Sequence, residues 1–144
     1  MVDTGYYSAL SSPIVLAGRT LRNRVIHASM TTALSDQRKV TPQLIQYHAN
    51  RARGGAALTV TEPLAMAPHQ AVQPKVQAFN DSALDGPKRL AEAVEGQDCR
   101  LFGQVQDGGR GYHQAARNSG AIGASALPDD LSWTMPRPLT TDDV

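Results

Sequence analysis

Hydrophobic positions along this chain fall into short runs separated by stretches with helical spacing. Arg24-Val25-Ile26-His27-Ala28-Ser29-Met30 reads as a buried strand, preceded by a hairpin from Ile14 to Leu21 that turns near Ala17-Gly18. Thr41-Pro42 then opens a helix: the threonine hydroxyl accepts from a first-turn N–H, and proline at the first position loses no needed donor. Leu44, Ile45, His48 and Ala52 share one face, and Gly54-Gly55 ends the helix. Ala56-Ala57-Leu58-Thr59-Val60-Thr61 predicts a second strand, followed by a loop carrying Pro63, Pro68 and Pro74. A second helix starts between Asp81 and Asp85 and runs to about Glu95. It turns Leu84, Leu90, Ala91 and Val94 inward, stops at Gly96, and places Pro87 in its first turn with Asp85 as the cap. Arg100-Leu101-Phe102-Gly103-Gln104-Val105 predicts a third strand, and the Gly-, Ser-, Asp- and Pro-rich stretch to Pro138 predicts a long loop. Thr140-Thr141-Asp142-Asp143 has the chemistry of a helix start.

Strand, helix, strand, helix, strand implies right-handed parallel crossovers and an α/β architecture. A closed eight-stranded barrel takes roughly 250 residues, so a chain of 144 with three such strands predicts an incomplete one. A small open sheet is the alternative. No Gly-x-Gly-x-x-Gly or phosphate-loop pattern follows the first strand, which disfavours a doubly wound nucleotide fold.

Composition narrows the function classes. A hydrophobic fraction of 41% with 19% charged residues predicts a folded chain rather than a disordered one. The formal net charge of +1 and the scattered basic residues give no footprint for a nucleic acid. Cys99 is the single cysteine, which rules out an intrachain disulfide or a cysteine-ligated cluster; beside a strand start it reads as a small apolar packing group. His48, His69 and His113 lack metal-ligand spacing. The N-terminal residues show no basic-then-apolar secretory pattern, and no apolar run approaches the roughly 20 residues of a membrane span. A cytoplasmic location with no membrane partner is the expectation.

In a barrel of parallel strands, function gathers at the C-terminal strand ends. Met30, Thr31 and Thr32 follow the first strand, Glu62 and Pro63 the second, and Gln104, Asp107 and Arg110 the third. Hydroxyls, an amide, a carboxylate and a guanidinium on one rim suit a flat polar heterocycle; they form neither a nucleophile–base triad nor a metal site. On residue type alone, Thr31 is a turn hydroxyl, and Asp107 with Arg110 an ion pair organising the glycine turn. His27 is a hydrogen-bonded core histidine, Tyr47-His48 core packing, and Trp133 a loop anchor over the rim.

The ordered series Asn23-Arg24, Thr41-Pro42, Tyr47, Arg51-Ala52, Gly54-Gly55, Thr61-Glu62, Gln104, Gly109-Arg110, Ser125-Ala126, Pro136-Arg137 and Leu139-Thr140 resembles the N-terminal part of the Old Yellow Enzyme family. These are FMN-dependent NADH:flavin oxidoreductases and ene-reductases. Ala124 to Pro128 and Ser132-Trp133-Thr134 lean toward its 2,4-dienoyl-CoA reductase-like subgroup. The resemblance implies the N-terminal portion of a TIM (β/α)8 barrel: a hairpin and about three βα units, as one partial domain over 1–144 with 106–139 as a long rim loop. It implies an FMN site in which Ala28, Ser29 and Met30 line the flavin with main chain and Thr31 lies by its C4=O and N5. Gln104 pairs with the pyrimidine edge. Pro63 stands where the family has a small residue whose backbone touches the ring, and Asp107 where it often has histidine.

The reaction so implied moves hydride from NADH or NADPH through FMN to an activated alkene, such as an α,β-unsaturated carbonyl or enoyl substrate. The substrate-binding histidine pair and proton-donating tyrosine are expected in a segment past Val144, which leaves the catalytic residues of this chain unassigned. Two function classes therefore stand side by side. One is an oxidoreductase segment that works when a complementing chain or a second copy completes the barrel. The other is a non-catalytic remnant or interaction module.

Overall fold

The computed structural model describes residues 7–68, 75–111, 121–130, 133 and 135–143. A short helical turn, α1 (Ser8–Ser11), leads into the hairpin of β1 (Ile14–Leu16) and β2 (Arg19–Leu21), paired antiparallel with Ile14 opposite Leu21. Ala17 and Gly18 both take positive φ, 47° and 72°, the geometry that matches a two-residue turn to the twist of its strands. The chain then enters β3 (Ile26–His27). Asn23 and Arg22 fix that entry. Arg22 donates to the carbonyls of Ala52 and Ala56 at 2.7 and 2.9 Å, and Asn23 donates to Gly55 O at 2.9 Å while accepting from Val25 N–H. Carbonyls around the end of the following helix, which lack helical partners, are thereby satisfied from the hairpin side.

That helix, α2 (Pro42–Arg53), begins as its sequence dictates: Thr41 Oγ1 accepts from Leu44 N–H at 3.1 Å and Pro42 is the first helical residue. Leu44, His48 and Ala52 are buried along one face, and Gly55, with φ 109°, turns the chain out in a conformation that only glycine adopts freely. β4 (Leu58–Val60) follows, then β5 (Leu64–Ala65). A 3-10 turn at Asp81–Ala83 precedes α3 (Asp85–Glu95), which leads to β6 (Arg100–Phe102) and β7 (Val105–Gln106). β3, β4 and β6 form a parallel sheet in the order β3-β4-β6.

In that register His27, Thr59 and Leu101 are neighbours on the face turned to α2 and α3. The core lies there, where Ala52, Ala56, Leu90, Val94 and Cys99 pack together with Val40, Ile45 and Leu101. Each fully buried Leu or Val contributes about 1.5–3 kcal/mol. A smaller cluster of Leu21, Ala57 and Leu58 joins the hairpin to the sheet. Further along the side of the sheet turned away from the helices, Ile26 and Phe102 stay 48% and 37% exposed, an open apolar surface among the described residues.

Several elements differ from the sequence expectation. The third strand is not continuous, because Gly103 and Gln104 interrupt it and Val105-Gln106 pair instead with β5, the strand inside the proline-rich segment. Between these pairings the β4-to-β5 segment takes one residue more than the β6-to-β7 segment, a bulge filled by the Thr61 side chain. Leu84 is 57% exposed rather than inward: it joins the 3-10 turn to the helix, at the cap position of both, with helical backbone angles. Asp85 is the first helical residue and not the cap; Asn80 caps the preceding 3-10 turn instead, accepting from Ser82 N–H at 2.9 Å.

The stretch 106–139 carries structure of its own. A 3-10 turn at Gly109–Gly111 is followed by a parallel pair of β8 (Ile122–Gly123) and β9 (Arg137–Pro138). Trp133 is 78% exposed, so its ring is not packed over the rim by the described residues; its backbone N–H donates to Asp129 O at 3.0 Å. Asp143 receives Arg137 and both the N–H and hydroxyl of Thr140, closing the 3-10 turn Thr141–Asp143. Pro74, His69, His113, Ser132 and Thr134 lie outside the described residues.

Candidate functional site

Three strand ends build one rim. Ala28, Ser29, Met30 and Thr31 leave the C-terminal end of β3, Thr61, Glu62 and Pro63 that of β4, and Gly103 and Gln104 that of β6. Because the three strands are parallel and adjacent, these residues emerge at the same end of the sheet. Ala28, Met30 and Thr31 are exposed, while Ser29, Pro63 and Gln104 are half-buried.

Hydrogen bonds hold the rim in place. Gln104 N–H donates to Thr61 Oγ1 at 3.1 Å, and Leu64 N–H donates to Gln104 O at 2.8 Å. Pro63 therefore sits inside the bulge, next to residues whose N–H groups carry the ladder, at a position where proline removes no strand bond. With its backbone so engaged, Gln104 keeps its side-chain amide unspent among the described residues, with one donor edge and one acceptor edge. Glu62, 3% exposed, reaches across to the β3 end: its Oε2 accepts Thr32 N–H at 2.7 Å and the Thr32 hydroxyl at 2.9 Å.

On the helix side of the sheet lies a group of rings that periodicity flags only as packing. His27 Nδ1 and His48 Nδ1 both contact Thr59 Oγ1, at 3.1 and 3.0 Å, and Tyr47 Oη lies 3.3 Å from His27 Nε2. Edge-to-face contacts link the three rings, with centroids 5.2 to 5.9 Å apart. The Arg51 guanidinium lies 3.3 Å over the Tyr47 ring centre, a cation–π contact. Burial first, then the charges of His27 and Arg51, lower the His48 pKa to about 4; burial and Arg51 lower that of His27. His27 is thus the hydrogen-bonded histidine its strand position implies. Its partners come from another strand and from a helix, so no local pattern reveals them.

Cys99 is fully buried in the core, and that burial pushes its thiol pKa up. Asp107 Oδ1 caps the glycine turn by accepting from Gly109 N–H at 2.7 Å, while Arg110 donates to Pro128 O. Among the described residues no group of three or more His, Cys, Asp or Glu is arranged to hold a metal. No helix there is long and apolar enough to cross a membrane.

Residues 9–144 match the model of the NADH:flavin oxidoreductase / NADH oxidase family. A metal reductase of Desulforamulus reducens is 31% identical over 95% of this chain and 20% of its own length. A 4,4'-dithiodibutanoate disulfide reductase of Rhodococcus erythropolis is 32% identical over 70% of the chain and 25% of its own length. The solved complex of 2-naphthoyl-CoA reductase with 2-naphthoyl-CoA superimposes with a TM-score of 0.80 at 22% identity, over 95% of this chain and 23% of that one. The chain thus spans a fifth to a quarter of the length of these relatives. Its α/β fold is the N-terminal portion of a TIM barrel, and the described strands do not close it. By its matched length, its strand order and its rim, the chain belongs to the NADH:flavin oxidoreductase / NADH oxidase family, that of the Old Yellow Enzymes.

Proposed function

We propose that the rim of β3, β4 and β6 forms one wall of an FMN site, within a single partial domain whose segment 106–139 lies along that rim. The observation that carries this reading is half-buried Gln104, whose side-chain amide is unspent among the described residues and whose backbone is fixed to Thr61 and Leu64. An amide offers a donor and an acceptor side by side, which suits the alternating carbonyl and N–H edge of a flavin pyrimidine. Thr31, which is exposed, and the main chain of Ala28, Ser29 and Met30 leave β3, the opposite outer strand, at the same end, and Pro63 follows β4, the strand between β3 and β6. These residues fit the ring system. FMN, when bound, would accept hydride from NADH or NADPH and deliver it to an activated alkene, an α,β-unsaturated carbonyl or enoyl compound of the 2,4-dienoyl-CoA type. The part of this chain is to orient the ring: Gln104 grips one edge and the Thr31 hydroxyl donates to it, which favours the reduced state. A cytoplasmic location belongs to the same proposal.

A second reading has its own observation in favour. Ile26 and Phe102 stay exposed on the sheet, and β3 and β6 each pair on one edge only among the described strands. Sheet edges and apolar faces of this kind promote association, so the chain would act as an interaction module completed by another chain or a second copy. Titration of the full chain with FMN, followed by flavin fluorescence, separates the two readings. Saturable quenching that weakens at least tenfold in Gln104→Leu supports the flavin site. No quenching, or quenching indifferent to Gln104→Leu and Thr31→Val, refutes it and leaves the module.

A further inference from the structure

We infer that Thr61 and Glu62, side by side at the end of the middle strand β4, are positioning residues that set the places of Gln104 and Thr31 at the rim. This role rests on the flavin reading above. Among the described residues, neither the Thr31 hydroxyl nor the Gln104 side-chain amide has a hydrogen bond to the protein. A side chain kept free for a ligand cannot fix itself; its place is set by its own backbone and by whatever that backbone is tied to.

β4 pairs on both sides, with β3 and with β6, and its end reaches both neighbours. Toward β6, Thr61 Oγ1 accepts Gln104 N–H at 3.1 Å, while Thr61 N–H donates to Phe102 O at 2.8 Å. These two bonds bracket Gly103 and fix the backbone from which the Gln104 amide extends. Toward β3, Glu62 Oε2 accepts the N–H and the hydroxyl of Thr32. That N–H and the Thr31 carbonyl belong to one planar peptide unit, so the carboxylate holds Thr31 through the bond that follows it. The Thr32 hydroxyl oxygen in turn accepts Leu34 N–H at 3.2 Å, across Ala33 at φ 56°, and Leu34 O accepts from the Thr41 hydroxyl that caps α2. The segment after Thr31 is thus anchored both to β4 and to the start of α2. Glu62 and Thr61 are 3% and 5% exposed, so water competes weakly for these bonds. Each outer strand end is tied to the middle one by a different side chain, and the spacing between Thr31 and Gln104 depends on both.

Variants of the full chain separate the two ties. Without flavin, amide hydrogen exchange should quicken about tenfold at Gln104 in Thr61→Val and at Thr32 in Glu62→Leu, each variant leaving the other site unchanged. With FMN, Thr61→Val is expected to weaken binding about tenfold, the scale of one lost hydrogen bond. Thr61→Ser, which restores the hydroxyl, should recover it. Glu62→Leu is expected to move the midpoint potential of bound FMN to more negative values, because the Thr31 hydroxyl then leaves the ring that it helps to hold reduced. Should that variant fail to fold, Thr32→Val, which removes one of the two bonds, is expected to give a smaller shift of the same sign. Val94→Ala, which loosens the core away from the rim, should change neither affinity nor potential; equal changes there would make the effects global and overturn the inference. Wild-type binding of FMN with affinity and potential unaltered in Thr61→Val and Glu62→Leu would overturn it too, and leave the flavin site standing. A wild-type chain that takes up no FMN would remove the flavin site itself, and this role with it.

Discussion

Glu62 and Thr32 are joined twice: one carboxylate oxygen accepts both the backbone N–H and the hydroxyl of the threonine, at 2.7 and 2.9 Å. The contact ties the segment after β3 to the end of β4, and so determines where the first part of the rim lies. A hydrogen bond to a charged group contributes about 1.5–3 kcal/mol. Thr32→Val, which keeps the N–H bond, is expected to cost about 1–2 kcal/mol in urea unfolding. Glu62→Gln should cost about as much, and the double variant less than the sum, because both act on one contact. Strict additivity would show that the two residues are not coupled.

Stability should fall as the solution is acidified through the window set by His48. Its folded pKa, lowered to about 4 by burial, lies below the ordinary value of 6.5, so between those values the unfolded chain binds the extra proton. The stabilisation is fully present above about pH 6.5 and is lost as pH falls toward 4; His27, lowered in the same direction, adds to the slope. A loss on the order of 2–3 kcal/mol over that window is expected from His48. His48→Gln should flatten the midpoint-versus-pH curve, and an unchanged slope in that variant would contradict the assignment.

Gly86 in α3 lies directly against Val40 in the segment before α2. A Cβ built there meets Val40 Cβ at 2.9 Å, a contact between two stiff groups rather than with a flexible side-chain end. Alanine normally favours a helix over glycine by about 1 kcal/mol. Here Gly86→Ala is nevertheless expected to lower stability by about 1–2 kcal/mol through overpacking. Combining it with Val40→Ala should recover part of the loss, and thermal unfolding of the three variants checks this.

Ala17 sits at φ 47° in the hairpin turn, ahead of Gly18 at 72°. A left-handed conformation costs a non-glycine residue about 1–2 kcal/mol, less for asparagine. Ala17→Asn is therefore expected to raise stability by about 0.5–1 kcal/mol. A lower melting temperature in that variant would count against the turn geometry.

The order of strands and helices was legible because each is determined by neighbours close in the chain. Thr41 and Pro42 start a helix wherever they stand before such a face, and Gly55 ends one. The rim followed from the same order, since parallel strands place Thr31, Pro63 and Gln104 at one end. What remained hidden depends on contacts between residues far apart in sequence. The third strand breaks at Gly103 because β5 takes over as partner of β7, and nothing local to 100–105 announces that exchange. Leu84 looked like a core residue by hydrophobicity, but the 3-10 turn before α3 rotates it outward. Thr61 and Glu62 reach the neighbouring strand ends only because β4 lies between β3 and β6. Local propensity determines the elements; the sharing of a finite set of donors and acceptors in three dimensions decides which side chains keep something to offer.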